Sequence, residues 1–88
     1  MRKILVIDDE RIIRRTLREI IANEGHDVVE AEDGELALKQ LEEDKYDVIF
    51  CDLKMPKISG IEVISRLQEL GIDTPVVMIS GHGNIETA

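Results

Sequence analysis

The sequence predicts an α/β fold built on a parallel sheet, and three observations carry that reading. Short unbroken apolar runs (Ile4-Leu5-Val6-Ile7, Val48-Ile49-Phe50-Cys51 and Pro75-Val76-Val77-Met78-Ile79) suit strands buried on both faces. Stretches with helical apolar spacing lie between them. The first two runs stop at carboxylates, Asp8-Asp9-Glu10 and Asp52, and the third stops at Ser80. Open α/β sheets place their chemistry at the carboxyl ends of strands, where these polar residues fall.

Each element follows in order. Ile4 to Ile7 is the first strand. Ile12, Ile13, Leu17, Ile20 and Ile21 then recur at helical spacing, with Arg11, Arg14, Arg15 and Arg18 on another face. Asp9 is the expected N-cap of this helix, and Asn23-Glu24-Gly25 its close, with glycine supplying a left-handed residue. Asp27 to Ala31 alternates, which suits an edge strand. Asp33-Gly34 is a turn and cap. Ala37, Leu38 and Leu41 mark a second helix that ends in Glu42-Glu43-Asp44. The third strand closes on Asp52, and Leu53-Lys54-Met55-Pro56 turns the chain away. Ser59-Gly60-Ile61-Glu62 reads as a capping box. Ile61, Ile64, Leu67 and Leu70 are the expected apolar face of a third helix, closed by Gly71. Pro75 to Ser80 is a fourth strand. Gly81-His82-Gly83 is a turn, and Asn84 to Ala88 is expected to be the first turn of another helix.

Composition narrows the function classes. The 88 residues make one domain with 43% hydrophobic and 34% charged residues, a balance that fits a folded globular chain and not a disordered one. A net charge of −8 argues against direct nucleic-acid binding, which needs clustered Lys and Arg. The single Cys51 excludes an internal disulfide and is read as a packed core thiol. Met1-Arg2-Lys3 leads straight into an apolar run too short for a signal peptide or membrane span, so a cytoplasmic location is expected. His26 and His82 have no second ligand nearby in sequence, and Tyr46 has no functional case.

Asp8, Asp9 and Asp52 are the candidate site. Capping is the bland reading of the first pair, since acids are favourable at a helix N-terminus. Should the first and third strands be neighbours, however, three acids converge, and their repulsion calls for a cation or a shared proton. An all-oxygen donor set favours Mg²⁺ over Zn²⁺. A carboxylate beside such an ion can act as a nucleophile toward phosphorus.

The pattern Ile4-Leu5-Val6-Ile7-Asp8-Asp9-Glu10, then Asp52-Leu53-Lys54-Met55-Pro56, Gly60 and Ser80, resembles the receiver domain of two-component response regulators along the whole chain. The segment Ser80-Gly81-His82-Gly83-Asn84-Ile85-Glu86-Thr87-Ala88 resembles the nitrogen-regulatory, NtrC-like group, whose receivers control ATPase activators of transcription. The resemblance implies a flavodoxin-like, three-layer sheet with strand order 2-1-3-4, the first and third strands adjacent. It also implies roles. Asp52 is the phospho-acceptor served by a sensor histidine kinase. Asp8 and Asp9, with Asp52 and the backbone carbonyl of Lys54, hold Mg²⁺. Ser80 is the switch hydroxyl, and Met55, Pro56 and Gly60 shape the loop behind the acceptor. The arginine stripe of the first helix reads plainly as a solvated face; since that helix helps dock the kinase's phosphotransfer domain in the family, one or two of its arginines are expected to contribute to partner choice. An ATPase or DNA-binding output domain is expected outside this chain.

A complete receiver has a further parallel strand carrying a lysine, and a fifth helix. Residues 1–88 are therefore read as a truncated receiver domain lacking strand 5, helix 5 and that catalytic lysine. The fourth strand is expected to be an open apolar edge, and the chain to dimerise through it and through the uncovered sheet face. The competing function is thus an assembly unit with weak or lost phosphorylation. An enzyme with an aspartate nucleophile is disfavoured: such enzymes space their two acids two positions apart, whereas Asp8 and Asp9 are adjacent. A glycine-rich nucleotide cradle is disfavoured too, because Asp8-Asp9-Glu10 occupies its place.

Overall fold

Periodicity in the chain alternates between two kinds, and the computed structural model, which describes residues 2–52, 58–79 and 85–87, translates that alternation into layers. The elements are β1 (Lys3–Ile7), α1 (Arg11–Asn23), β2 (Asp27–Ala31), α2 (Gly34–Glu43), β3 (Val48–Asp52), α3 (Gly60–Glu69), β4 (Val76–Ile79) and β5 (Ile85–Thr87). They form a five-stranded sheet of order β2-β1-β3-β4-β5. The first four strands run parallel in a flavodoxin-like arrangement, with β1 and β3 side by side as expected. Each parallel step needs a crossover, and α1, α2 and α3 provide them.

Alternate residues of the strands feed two separate cores. On one face Leu5, Ile7, Ile49, Cys51, Val76 and Met78 pack under α2 and α3. On the other, Ile4 and Val6 pack with Ile21 of α1, flanked by Leu17, Val28, Val48 and Phe50. Two-sided burial of β1 explains its unbroken apolar run. The half-exposed β2 is an edge, as its alternation predicts.

Caps and turns follow local chemistry with one exception. Asp33 accepts a hydrogen bond from the Leu36 amide at 2.8 Å, and Ser59 accepts one from the Glu62 amide at 3.2 Å. Gly25 closes α1 at φ 90° and Gly71 follows α3 at φ 73°, conformations that favour glycine. Asp9 is not the N-cap of α1. Glu10 occupies that position without a side-chain cap bond, because Asp8 has already turned the chain by accepting from the Glu10 amide.

The apolar faces are narrower than hydropathy alone predicts. In α3 the buried stripe is Gly60, Val63 and Leu67 with Ile64 beside it, while Ile61 and Leu70 are exposed. Gly60 begins the stripe, and a residue without a side chain gives no hydropathy signal. In α1, Ile21 is buried while Ile12 and Ile20 point to solvent, since the helix meets the sheet along a single line of residues. The arginine face also divides: Arg14 turns inward, with its side chain 12% exposed, while Arg15 and Arg18 stay half exposed.

The end of the chain differs most from expectation. Ile85–Thr87, within the stretch expected to begin a helix, instead pairs antiparallel with β4 in the register Val77↔Thr87, Met78↔Glu86, Ile79↔Ile85. An apolar strand edge offers ready backbone partners, and β-branched residues favour the extended state. The connection from β4 is too short for a parallel crossover, so the pairing is antiparallel. The fourth strand is accordingly not an open edge: β5 covers it from Val77 to Ile79.

Candidate metal and acceptor site

The register of the sheet puts the candidate acids side by side. Ile7 pairs with Cys51 across β1 and β3, so Asp8 and Asp52 both stand at the carboxyl edge of neighbouring strands. Asp52 in turn pairs with Ile79. Asp8 is held at three points. Its amide donates to the Ala31 carbonyl at 3.1 Å, extending the grip of β2 by one residue. Its side-chain Oδ1 accepts from the Glu10 amide at 2.8 Å. Its carbonyl accepts from Arg14 Nη1, also at 2.8 Å.

Asp8 is 1% exposed and Asp52 5%, while Asp9 faces solvent. One carboxylate oxygen from each of the three lies within 4.8 Å of the others. Burial pushes the Asp8 carboxyl up to about 6, and the charges of Asp52, Asp9 and Glu10 act in the same direction. The Glu10 amide opposes the rise without cancelling it. Two buried acids beside a third, exposed one concentrate negative charge in a way that suits a hard cation. Oxygens sharing one hard cation of this size lie about 3 to 4.2 Å apart, close to the spacing seen here. Among the described residues the acids gathered here offer carboxylate oxygens, a hard donor type that suits Mg²⁺ before zinc.

Cys51, next to the acceptor position, is a core thiol. It is fully buried in β3, and burial with the neighbouring Asp52 and Asp8 charges pushes it up to about 12, far from a thiolate at neutral pH. His26 lies half-buried between α1 and β2, and its Nδ1 accepts from the Arg2 amide at 3.2 Å. Tyr46 is buried beneath Lys3, whose Nζ sits 5.2 Å from the ring centre and pairs with Asp44. A cavity of about 550 Å³ between Leu67, Gly71 and Val76 lies at the opposite end of the sheet from the acids.

Of the sequence candidates, Asp8, Asp9 and Asp52 are brought together. Gly60 is buried at the start of α3, just beyond the loop. Lys54, Met55, Pro56, Ser80 and His82 lie outside the described residues. Two supports of the site gave no local sequence signal. Ile58 returns the loop to the core against Gly34, where an added Cβ would stand 2.9 Å from the Ile58 Cβ. Arg14, one of four arginines that the sequence places on the helix face away from the apolar residues, donates to the Asp8 carbonyl.

Comparison with known proteins places this geometry. Residues 4–88 match the response regulator receiver domain family. The alkaline phosphatase synthesis transcriptional regulatory protein PhoP of Bacillus subtilis (strain 168) is 42% identical over 79 residues, covering 90% of this chain and 33% of PhoP. The Escherichia coli (strain K12) transcriptional regulatory protein CpxR is 39% identical over 84 residues, covering 96% of this chain and 35% of CpxR. The chain thus spans about a third of the length of these curated relatives. Among solved structures, response regulator TrrA of Thermotoga maritima in complex with Mg²⁺-BeF superposes with TM-score 0.86 at 38% identity, over 93% of this chain and 73% of that one. A structure of TrrA with histidine kinase ThkA gives TM-score 0.86 at 37% identity, over 96% of this chain and 72% of the other.

Proposed function

Because this chain belongs to the response regulator receiver domain family, we propose that it is the phospho-accepting module of a two-component system, taking a phosphoryl group from a histidine kinase onto Asp52. The observation that carries this reading is the convergence of Asp8, Asp9 and Asp52 within 4.8 Å at the carboxyl edge of β1 and β3. One Asp52 carboxylate oxygen forms the new P–O bond as the donor's P–N bond breaks, and the donor imidazole leaves with the bonding pair. Asp8 and Asp9, with Asp52 and the Lys54 carbonyl, would hold Mg²⁺, which would supply charge neutralisation for the phosphoryl oxygens. The buried walls around Asp52 strengthen every charge interaction made there. Ser80 is assigned the switch hydroxyl that reads the phosphorylated state, and Met55, Pro56 and Gly60 the turn that shapes the acceptor loop.

The kinase partner is supported by the TrrA–ThkA complex among the similar structures, and a transcriptional output by the relatives' description as transcriptional regulatory proteins. A nitrogen-regulatory, NtrC-like subgroup, and with it an ATPase output, rests on the 80–88 segment of the sequence alone. We read residues 1–88 as receiver throughout, a signalling module and not a metabolic enzyme, and place it in the cytoplasm. No described helix is long and apolar enough to cross a membrane.

The test is direct. With MgCl₂ and a small phosphodonor such as acetyl phosphate, intact mass should show one added phosphoryl group, absent in Asp52→Asn. No adduct on the unsubstituted chain, or an adduct that survives Asp52→Asn, removes the reading.

A second reading, an assembly unit, is favoured by one surface. Val48, Phe50 and Val77 share the sheet face beside α1 and remain only half-buried, with Ile20 57% exposed nearby. Since β5 covers the β4 edge, association would use this face and not strand-to-strand pairing. Light scattering should then report a homodimer that Phe50→Glu returns to monomer; a monomer at high concentration discards it.

A further inference from the structure

The strands end at Ile7 and Ala31, and one residue later the sheet ladder can no longer satisfy the Asp8 carbonyl. That carbonyl belongs to the peptide linking Asp8 to Asp9, so its orientation decides where both carboxylates point. Arg14 Nη1 takes it at 2.8 Å, while Arg14 Nε donates to Glu30 Oε1 at 2.9 Å. Glu30 is held in turn by Arg18 at 3.1 Å and has Arg15 at 3.6 Å. Its neighbour Ala31 accepts the Asp8 amide. Residues 30 and 31 of β2 therefore fix both backbone groups of Asp8, one directly and one through Arg14.

We propose that Arg14 is a positioning residue for the metal-holding acids: its guanidinium, anchored on Glu30, locks the Asp8–Asp9 peptide in the orientation that Mg²⁺ binding requires. The inference rests on Asp8 and Asp9 holding Mg²⁺. Arginine suits the task because its planar fork donates in two directions at once. Glu30 does more than anchor it. A lone cation six residues along the chain from Asp8 would repel the metal, and the Glu30 carboxylate, shared with Arg15 and Arg18, offsets part of that repulsion.

The sign of one measurement separates the alternatives. Were Arg14 only a nearby charge, Arg14→Gln would tighten Mg²⁺ binding by removing a cation. Were it only a strut between α1 and β2, the substitution would lower the melting temperature and leave affinity alone. Positioning predicts weaker binding by about tenfold, the usual scale for a residue that orients a metal ligand.

The experiment titrates MgCl₂ into the folded protein while following the amide signals of Asp8, Asp9 and Glu10 by NMR. Arg14→Gln should shift the midpoint about tenfold upward, and Arg14→Lys, able to satisfy one acceptor, should recover part of it. Ile21→Ala loosens the same helix without touching the Asp8 carbonyl, so it should lower the melting temperature yet keep the midpoint within about twofold. An Arg14→Gln midpoint equal to or below that of the unsubstituted chain overturns the inference. So does an equal loss of affinity in Ile21→Ala. If the unsubstituted chain shows no Mg²⁺-dependent shift at these amides, the metal-site reading itself falls and this inference with it.

Discussion

Asp8→Asn is expected to make the metal-free protein more stable above pH 6 while removing its Mg²⁺ binding. The side chain is 1% exposed and its carboxyl is pushed up to about 6 by burial first and by neighbouring charge second. A raised folded-state value means that the native protein binds the proton more tightly than the unfolded chain. The stability so gained is complete below about pH 4 and is lost as pH rises through 6. Above that, the chain carries the cost of an ionised acid held largely out of water, on the order of 1–3 kcal/mol once solvent screening is allowed for. Asparagine keeps the shape and retains an oxygen for the Glu10 amide, but never ionises. Urea denaturation across pH 4 to 8 should show the two proteins diverging between about pH 4 and 6 and running parallel above it. Saturating MgCl₂ should narrow the difference at pH 7.5, because only the aspartate form gains binding free energy. Identical pH profiles for the two proteins would refute the account.

Ile49→Ala carries the second large effect. Ile49 is fully buried in the middle strand, paired with Leu5 on one side and Val76 on the other. Truncation there removes apolar contacts and leaves a cavity that α2 and α3 cannot close, a loss of about 3 kcal/mol. Domains of this size hold only about 5–15 kcal/mol in total, so the urea midpoint should fall steeply with an unchanged slope. Ile12→Ala, at a side chain 80% exposed, should change stability by less than about 0.5 kcal/mol. Equal losses at the two isoleucines would mean that the burial pattern is wrong. Their contrast also marks a limit of sequence reading: both residues sit in apolar patterns, and hydropathy does not separate them.

The acids show how far the sequence alone reaches. That Asp8, Asp9 and Asp52 close apolar strands is visible in the chain, because a strand buried on both faces leaves an unbroken hydrophobic run up to its end. Their meeting within 4.8 Å depends on β1 lying beside β3, which no run of residues encodes. Strand adjacency entered the sequence reading only through family resemblance. Arg14 was harder still. On a helical wheel it belongs with Arg11, Arg15 and Arg18, and only the approach of Glu30 and the Asp8 carbonyl turns it inward.

By itself, then, the sequence determined the alternation of strands and helices, the caps at Asp33 and Ser59, the glycine closures at Gly25 and Gly71, and the acids at the strand ends. These are local matters, set by side-chain period and backbone preference within a few residues. Tertiary structure decided the rest: the strand order, the burial of Val63 over Ile61, the antiparallel seat of Ile85–Thr87 on β4, and the hold of Arg14 on Asp8. Each depends on which surface comes to lie against which. A free strand edge outbids weak helical preference, and a carbonyl left beyond the sheet ladder recruits whichever donor the fold brings near.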